Sequence, residues 1–189
     1  MVSPDNPYGS WLVELAKAAA AVANYCDHVE HNEPAERSWV LASASSLRRL
    51  AAEIAAGEGR SLRDLYAARL RQVEQRNPAW TGEFDGGVLA EEASTLRELQ
   101  LAQLAHDRHY HPDIVGLSKA DQLRHCALHV AKLTGALAEF LCEELDREDF
   151  LTRRVPDMLL FGLKLATLCG EPLAEEPLAA SPSFELLSS

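Results

Sequence analysis

Apolar residues recur at spacings of three and four along nearly the whole chain, and this periodicity constrains the fold more than any other feature. Such spacing places the apolar side chains on one face of an α-helix, whereas a strand would alternate at every second residue. No segment alternates in that way, and the sequence contains no internal repeat. The pattern therefore predicts an all-α helical bundle of about six helices.

Capping and turn residues divide this pattern into helical segments. In the first half we expect helices over 11–26, 35–56 and 61–77, followed by a loop over 78–87. In the second half we expect helices over 88–110, 118–145 and 156–169. The segment 118–145 is apolar around most of its circumference, so we expect this helix at the centre of the bundle.

Composition excludes several classes of function. The chain has 18 basic and 29 acidic side chains and a net charge of −11, which disfavours nucleic acid as a partner. It contains neither an uninterrupted apolar stretch of about 18 residues nor a basic region followed by an apolar run, so we expect no membrane span and no export. Its four cysteines lie far apart without CxxC spacing, which favours reduced thiols and a cytoplasmic location.

Five of the seven histidines lie between His106 and His129, in a segment that joins two predicted helices. Asp121, His125, His129 and Lys132 follow one another at steps of three or four and share one helical face. In one interpretation this row is a solvated strip, and in the other it lines a cleft. A cleft would make His125 and His129, with Asp121, the candidate catalytic residues, because an imidazole with a pKa near about 6.5 exchanges protons at neutral pH.

Histidines four residues apart on a helix can both bind a divalent metal ion. The pair alone is a weak signal, and the glutamate of the HExxH motif is absent here. We therefore expect no metal. If one is bound, the expected ligands are His125, His129, Asp107 and His111, with His106 and His109 as further candidates at the end of the preceding helix.

Three stretches of the second half resemble a known family: LRELQLAQLAHDRHYH, DQLRHCALHVAKLTGALAEFL and VPDMLLFGLKLATLCGEPL. In helix order, length and apolar pattern they are similar to the all-α nucleotide pyrophosphohydrolases of the MazG-like superfamily. The resemblance implies a MazG-like helical core over 88–170, preceded by an N-terminal helical extension over 1–87. The composition of 171–189, rich in proline and small residues, predicts a flexible tail.

In that family, one helix carries an E-E-x-x-E motif and a later one an E-x-x-D motif, whose carboxylates hold Mg²⁺ against the nucleotide phosphates. Here the first motif falls on Ala131, Lys132 and Gly135, and the second falls on Arg154 and Asp157. Only Asp157 is a carboxylate, and a magnesium site for phosphates usually needs more than one. We therefore expect no magnesium-dependent hydrolysis of nucleoside triphosphates.

The resemblance and its departures together imply a divergent MazG-like protein that binds an anionic small molecule or a protein partner in an accessory or regulatory role. Its candidate ligand-binding residues are Lys132, Arg154, His111 and Asp157, since cations bind phosphate or carboxylate directly. One alternative is an enzyme, a hydrolase or lyase that uses His125 and His129. The other is a structural protein-interaction module. The resemblance also implies a homo-oligomer, whereas the sequence identifies no cofactor.

Overall fold

The computed structural model describes residues 7–76 and 84–175. These residues form the helices α1 (Pro7–Glu30), α2 (Arg37–Gly57), α3 (Leu62–Gln75), α4 (Gly86–Glu92), α5 (Leu96–Tyr110), α6 (Pro112–Val115), α7 (Lys119–Leu141), α8 (Arg147–Asp149) and α9 (Val155–Leu168). A π-helical segment, Phe150–Arg154, joins α8 to α9. The described part of the chain contains no strand, so the predicted all-α bundle is confirmed, and six of its helices have at least 14 residues.

Two helices begin where their capping residues predict. The Ser61 hydroxyl accepts a hydrogen bond from the Asp64 backbone N–H at 3.3 Å, and α3 follows. The Ser118 hydroxyl accepts from the Asp121 N–H at 3.2 Å at the start of α7. Each cap satisfies a backbone donor that the first turn of a helix leaves without a partner.

The predicted single helix over 88–110 is wrong, because the chain turns between α4 and α5. Thr95 and Glu98 form a capping box, in which each side chain accepts a hydrogen bond from the other residue's backbone N–H. The Glu98 carboxylate also accepts from the Ser94 N–H at 2.6 Å. These bonds satisfy the start of α5 and so make a break in the helix favourable. The predicted loop over 78–87 lies largely outside the described residues, and its last two residues begin α4.

Helix α9, rather than α7, has the central position, which corrects the expectation from the sequence. Ten of the 14 residues of α9 are buried, and the helix packs against α2, α3, α5 and α7. Helix α7 instead exposes Leu128, which is 66% accessible, together with Ala131 and Gly135. Alanine and glycine extend an apolar pattern without requiring burial, so the pattern overstated how much of α7 is covered. Helix α7 also ends at Leu141, short of the predicted residue 145.

A glycine allows α2 and α9 to approach closely. A Cβ atom on Gly162 would lie 3.0 Å from the Ala44 carbonyl oxygen and 2.7 Å from Arg48 Cγ. Any larger residue at this position would therefore push the two helices apart. The Gly162 carbonyl also accepts a hydrogen bond from the Arg48 guanidinium at 3.3 Å.

The apolar core draws on both halves of the chain. Leu47 and Leu50 of α2 belong to the same buried cluster as Leu137 of α7 and Leu163 of α9. Helix α1 packs against α2 and α7. The division into an extension over 1–87 and a core over 88–170 stays a prediction, and most of the predicted tail, residues 176–189, lies outside the described residues.

Among the described helices, none combines the length and the apolar character that crossing a membrane requires.

Candidate functional site

A cleft of about 110 Å³ opens between α5, α6, α7 and α9. Its polar lining residues are Gln103, Asp107, Gln122, His125, Lys164 and Thr167. The remaining wall is apolar. Because about 10–15 Å³ of such space already holds one water molecule, the cleft has room for a phosphate- or carboxylate-sized group.

An ion pair between α5 and α9 lies at the cleft. Lys164 Nζ is 2.9 Å from Asp107 Oδ1, and the two side chains are 14% and 10% exposed. Burial raises the pKa of the Asp107 carboxyl, but the neighbouring His106 and the Lys164 ammonium more than offset this, so the pKa lies below its usual value. The Asp107 carboxyl is therefore ionised at neutral pH, and its ion pair with Lys164 compensates the cost of burying it.

Three imidazoles lie within the electrostatic influence of Lys164. Burial, and next the Lys164 charge, lower the pKa of His111 and of His125. Burial, followed by the charges of His125 and Lys132, lowers the pKa of His129 to about 4. All three rings are therefore neutral at pH 7, and a neutral imidazole carries one N–H donor and one acceptor nitrogen.

The four residues of the predicted polar row, Asp121, His125, His129 and Lys132, lie in different environments. His125 lines the cleft, whereas His129 is half-buried and its ring stacks on Phe161 with centroids 4.5 Å apart. The two histidine rings lie next to each other, with centroids 4.6 Å apart. Lys132 is exposed. The Asp121 carboxylate accepts hydrogen bonds from the Ser118 hydroxyl at 2.6 Å and from Arg124 at 2.8 Å, at the start of α7.

None of the four predicted ligand-binding residues belongs to the cleft lining. Lys132 faces outward on α7, His111 follows α5, and Arg154 lies in the π-helical segment. Asp157 accepts two hydrogen bonds from Arg69, at 2.7 and 3.0 Å. The one carboxylate that matches the family's magnesium motifs is therefore neutralised by a guanidinium, and the donor set at these positions does not fit Mg²⁺.

Buried polar atoms without good hydrogen bonds concentrate on one stretch of α5. Among the described residues, six buried side-chain atoms make no hydrogen bond of ordinary geometry, and four of them belong to Gln103, His106 and Asp107. Of these, Asp107 Oδ1 has its ion pair with Lys164. Since folded proteins pair nearly all their buried polar groups, such a concentration makes this stretch of α5 a candidate site.

Tyr66 on α3 fixes the orientation of Gln103. The Tyr66 side chain is fully buried and donates its hydroxyl hydrogen to Gln103 Oε1. Burial, with the nearby charges of Asp107 and Asp157, raises the pKa of this phenol well above its usual value, so it remains a neutral donor. With its carbonyl occupied, Gln103 presents its amide nitrogen to the side of Asp107 and the cleft.

The metal ligands expected from the sequence meet only in part. His106, Asp107 and His111 each offer a ligand atom, and these atoms lie within 4.8 Å of one another. No other group of three such side chains occurs in residues 7–76 and 84–175. His125 and His129 are not members of this group. His109 is exposed and stacks on Phe84, with ring centroids 5.0 Å apart.

Cys126 lies beside His125 in the cleft lining but is not an activated nucleophile. Burial raises the pKa of its thiol to about 12, so the thiol stays protonated at neutral pH. All four cysteines are free, as their spacing predicts.

No protein-family model matches this chain, and comparisons with curated proteins and with solved structures likewise gave no match. The resemblance to the MazG-like superfamily therefore stays a prediction.

The lowered pKa of His129 predicts that acid destabilises the fold between about pH 6.5 and pH 4. The unfolded chain binds a proton at this imidazole near pH 6.5, but the folded chain does so only near pH 4. The free energy of unfolding should therefore fall as the pH drops through this window and then level off. Melting temperatures measured across a pH series test this.

The variant His129→Gln, which cannot be protonated, should lose less of its melting temperature than the wild type over the same pH range. His31→Gln is the matched control, because His31 is exposed and directly follows the last residue of α1. It should retain the wild-type pH dependence. Parallel curves for His129→Gln and the wild type would contradict the assignment.

Proposed function

We propose that the protein is a divergent MazG-like protein without the magnesium carboxylates, and that it binds a small anionic molecule in the cleft between α5, α7 and α9. Its role would be accessory or regulatory. The observation that carries this proposal is the Lys164 ammonium, which lies in a small and largely apolar cleft with one carboxylate as its partner.

The polar groups around the cleft favour an anion over a cation. An ammonium has three N–H donors, and Asp107 accepts from only one side of it. The amide nitrogen of Gln103 and the N–H of the His125 ring add donors to the same lining. Because the cleft has a low dielectric constant, hydrogen bonds from these donors to a charged acceptor are stronger than they would be in water.

The apolar residues of the cleft lining favour one kind of anion over another. Leu104, Ile114 and Leu168 face the same space as Lys164. They favour a ligand in which the anionic group is attached to an apolar one, such as a short-chain carboxylic acid. The net charge of −11 does not oppose this, because the exposed acidic groups are screened by salt over about 8–10 Å.

An NMR titration with butyrate, and separately with inorganic phosphate, tests the proposal. Both are carried out at pH 7 with EDTA present, so that no metal ion contributes. We expect saturable shifts of amide signals around His125 and Lys164, with one site per chain and weaker binding at higher salt concentration. Butyrate should bind more tightly than phosphate because its alkyl group contacts the apolar wall.

The variant for this test removes both charges together, by combining Asp107→Asn with Lys164→Met, so that neither charge is left buried alone. Binding should be lost in this double variant and kept in Lys17→Met, which removes an exposed lysine of α1. Wild-type binding by the folded double variant would overturn the proposal. So would the absence of saturable binding of both anions to the wild type.

A further inference from the structure

We propose that His106, Asp107 and His111 bind a divalent transition-metal ion at the C-terminal end of α5. The site goes beyond the proposed anion binding and does not depend on it. One ligand atom from each of these residues lies within 4.8 Å of the other two. Ligands that share one zinc ion at about 2.0–2.2 Å stand roughly 3.3 Å apart, so small side-chain rotations close the group around an ion.

A second, independent observation points to a ligand at His106. Its side chain is buried, with the residue only 1% exposed, yet neither ring nitrogen makes a hydrogen bond of ordinary geometry. Buried polar groups in folded proteins almost always have a partner. A metal ion supplies that partner, and imidazole is the side chain that most often binds one.

Glu74 on α3 completes the arrangement from the other side of the ring. Its Oε1 atom lies 3.6 Å from His106 Nε2 and also accepts a hydrogen bond from the Gly86 backbone N–H at 3.0 Å. A carboxylate behind a metal-binding histidine orients the ring and strengthens its basicity. Because Nε2 faces Glu74, the proposal assigns Nδ1 of His106 to the metal.

The donor set selects the class of metal. Two imidazole nitrogens and one carboxylate suit Zn²⁺, Fe²⁺ or Co²⁺, whereas Mg²⁺ and Ca²⁺ prefer oxygen ligands. Three protein ligands leave at least one coordination position open. Asp107 also lines the cleft, so this open position would be reached from the cleft.

Lys164 competes with the metal for Asp107. Its ammonium lies 2.9 Å from Asp107 Oδ1 and repels a second cation at the same carboxylate. Removing the ammonium in Lys164→Met should therefore raise the metal affinity, by at least about tenfold. A histidine site elsewhere on the surface would not respond to this substitution, which makes the increase diagnostic.

The end of α1 is the obvious source of adventitious binding. His28 and His31 lie there, 3.6 Å and 3.5 Å from the carboxylates of Glu33 and Asp27. All metal measurements are therefore made in a background that carries His28→Gln and His31→Gln. In that background only the site at the end of α5 should remain.

The experiment titrates the metal-free full chain with Co²⁺, followed by its visible absorption, and with Zn²⁺ in competition with a chromophoric chelator. We expect one metal ion per chain. His106→Gln and His111→Gln should each abolish binding, and Glu74→Gln should weaken it about 10- to 100-fold. Circular dichroism without metal checks that each variant is folded. If buried His106→Gln does not fold, the half-buried His111→Gln carries the test.

Three results would overturn the site: no stoichiometric binding in the background chain, unchanged binding in folded His111→Gln, or no gain in affinity in folded Lys164→Met. The anion titration contains EDTA and depends on Lys164, so its outcome is separate from this one. A chain that binds butyrate but no metal would reject the metal site and leave the proposed function standing.

Discussion

Replacing Asp157 with alanine is expected to lower the free energy of unfolding by about 3–5 kcal/mol, because the substitution leaves the Arg69 guanidinium buried without its carboxylate. Arg69 donates from Nε and from Nη2 to the two carboxylate oxygens at 2.7 and 3.0 Å. The Arg69 and Asp157 side chains are only 11% and 14% exposed, so water does not replace the lost partner. Urea denaturation measures the change.

Two further variants test whether the loss of stability comes from an unpaired buried charge. The combination of Arg69→Met with Asp157→Leu should recover most of the lost stability, because no charge is then left unpaired. Arg37→Ala breaks an ion pair with Glu171 in which each side chain is about half exposed, and should cost less than about 1 kcal/mol. A loss below about 1 kcal/mol in Asp157→Ala would contradict the structural role and favour Asp157 as a ligand-binding residue.

Local signals in the sequence were sufficient for the fold class and for several helix boundaries. Ser61 and Ser118 cap the helices that they were predicted to start, because a cap depends on residues within one turn. The break before α5 also had a local signal, Thr95 followed by Glu98. However, apolar residues continue at helical spacing on both sides of the break, and that spacing alone predicts one helix.

The order of burial among the helices could not be predicted in the same way. Helices α7 and α9 are both rich in apolar and small residues, and the spacing of their apolar residues alone does not rank the two helices by burial. The close approach of α9 to α2 at Gly162 depends on Ala44 and Arg48, which lie more than 100 positions away in the chain. Leu128 is apolar and exposed, which periodicity alone does not reveal.

The candidate site was located by the sequence in part. The histidine cluster lies in the stretch that supplies part of the candidate site, since His125 lines the cleft and His106, Asp107 and His111 come together. Lys164 is the single charged residue between Met158 and Cys169, and its partnership with Asp107 spans two helices, so the sequence alone does not reveal it. Gln103 and Asp107 lie four residues apart and therefore share one face of α5. The spacing alone does not show that this face is buried.

Replacing Phe150 with alanine is expected to cost about 3–5 kcal/mol of the free energy of unfolding, as for other large aromatic side chains removed from a core. Phe150 is 0% exposed and stacks on Phe140 with ring centroids 4.4 Å apart, so its loss leaves a cavity under α7. The control is Leu128→Ala, which truncates an exposed leucine of α7 and should change stability by less than about 0.5 kcal/mol. Urea denaturation of both variants separates the two cases. The sequence did not predict helical structure at Phe150. If both variants lost equally little stability, the π-helical segment would not contribute to the core.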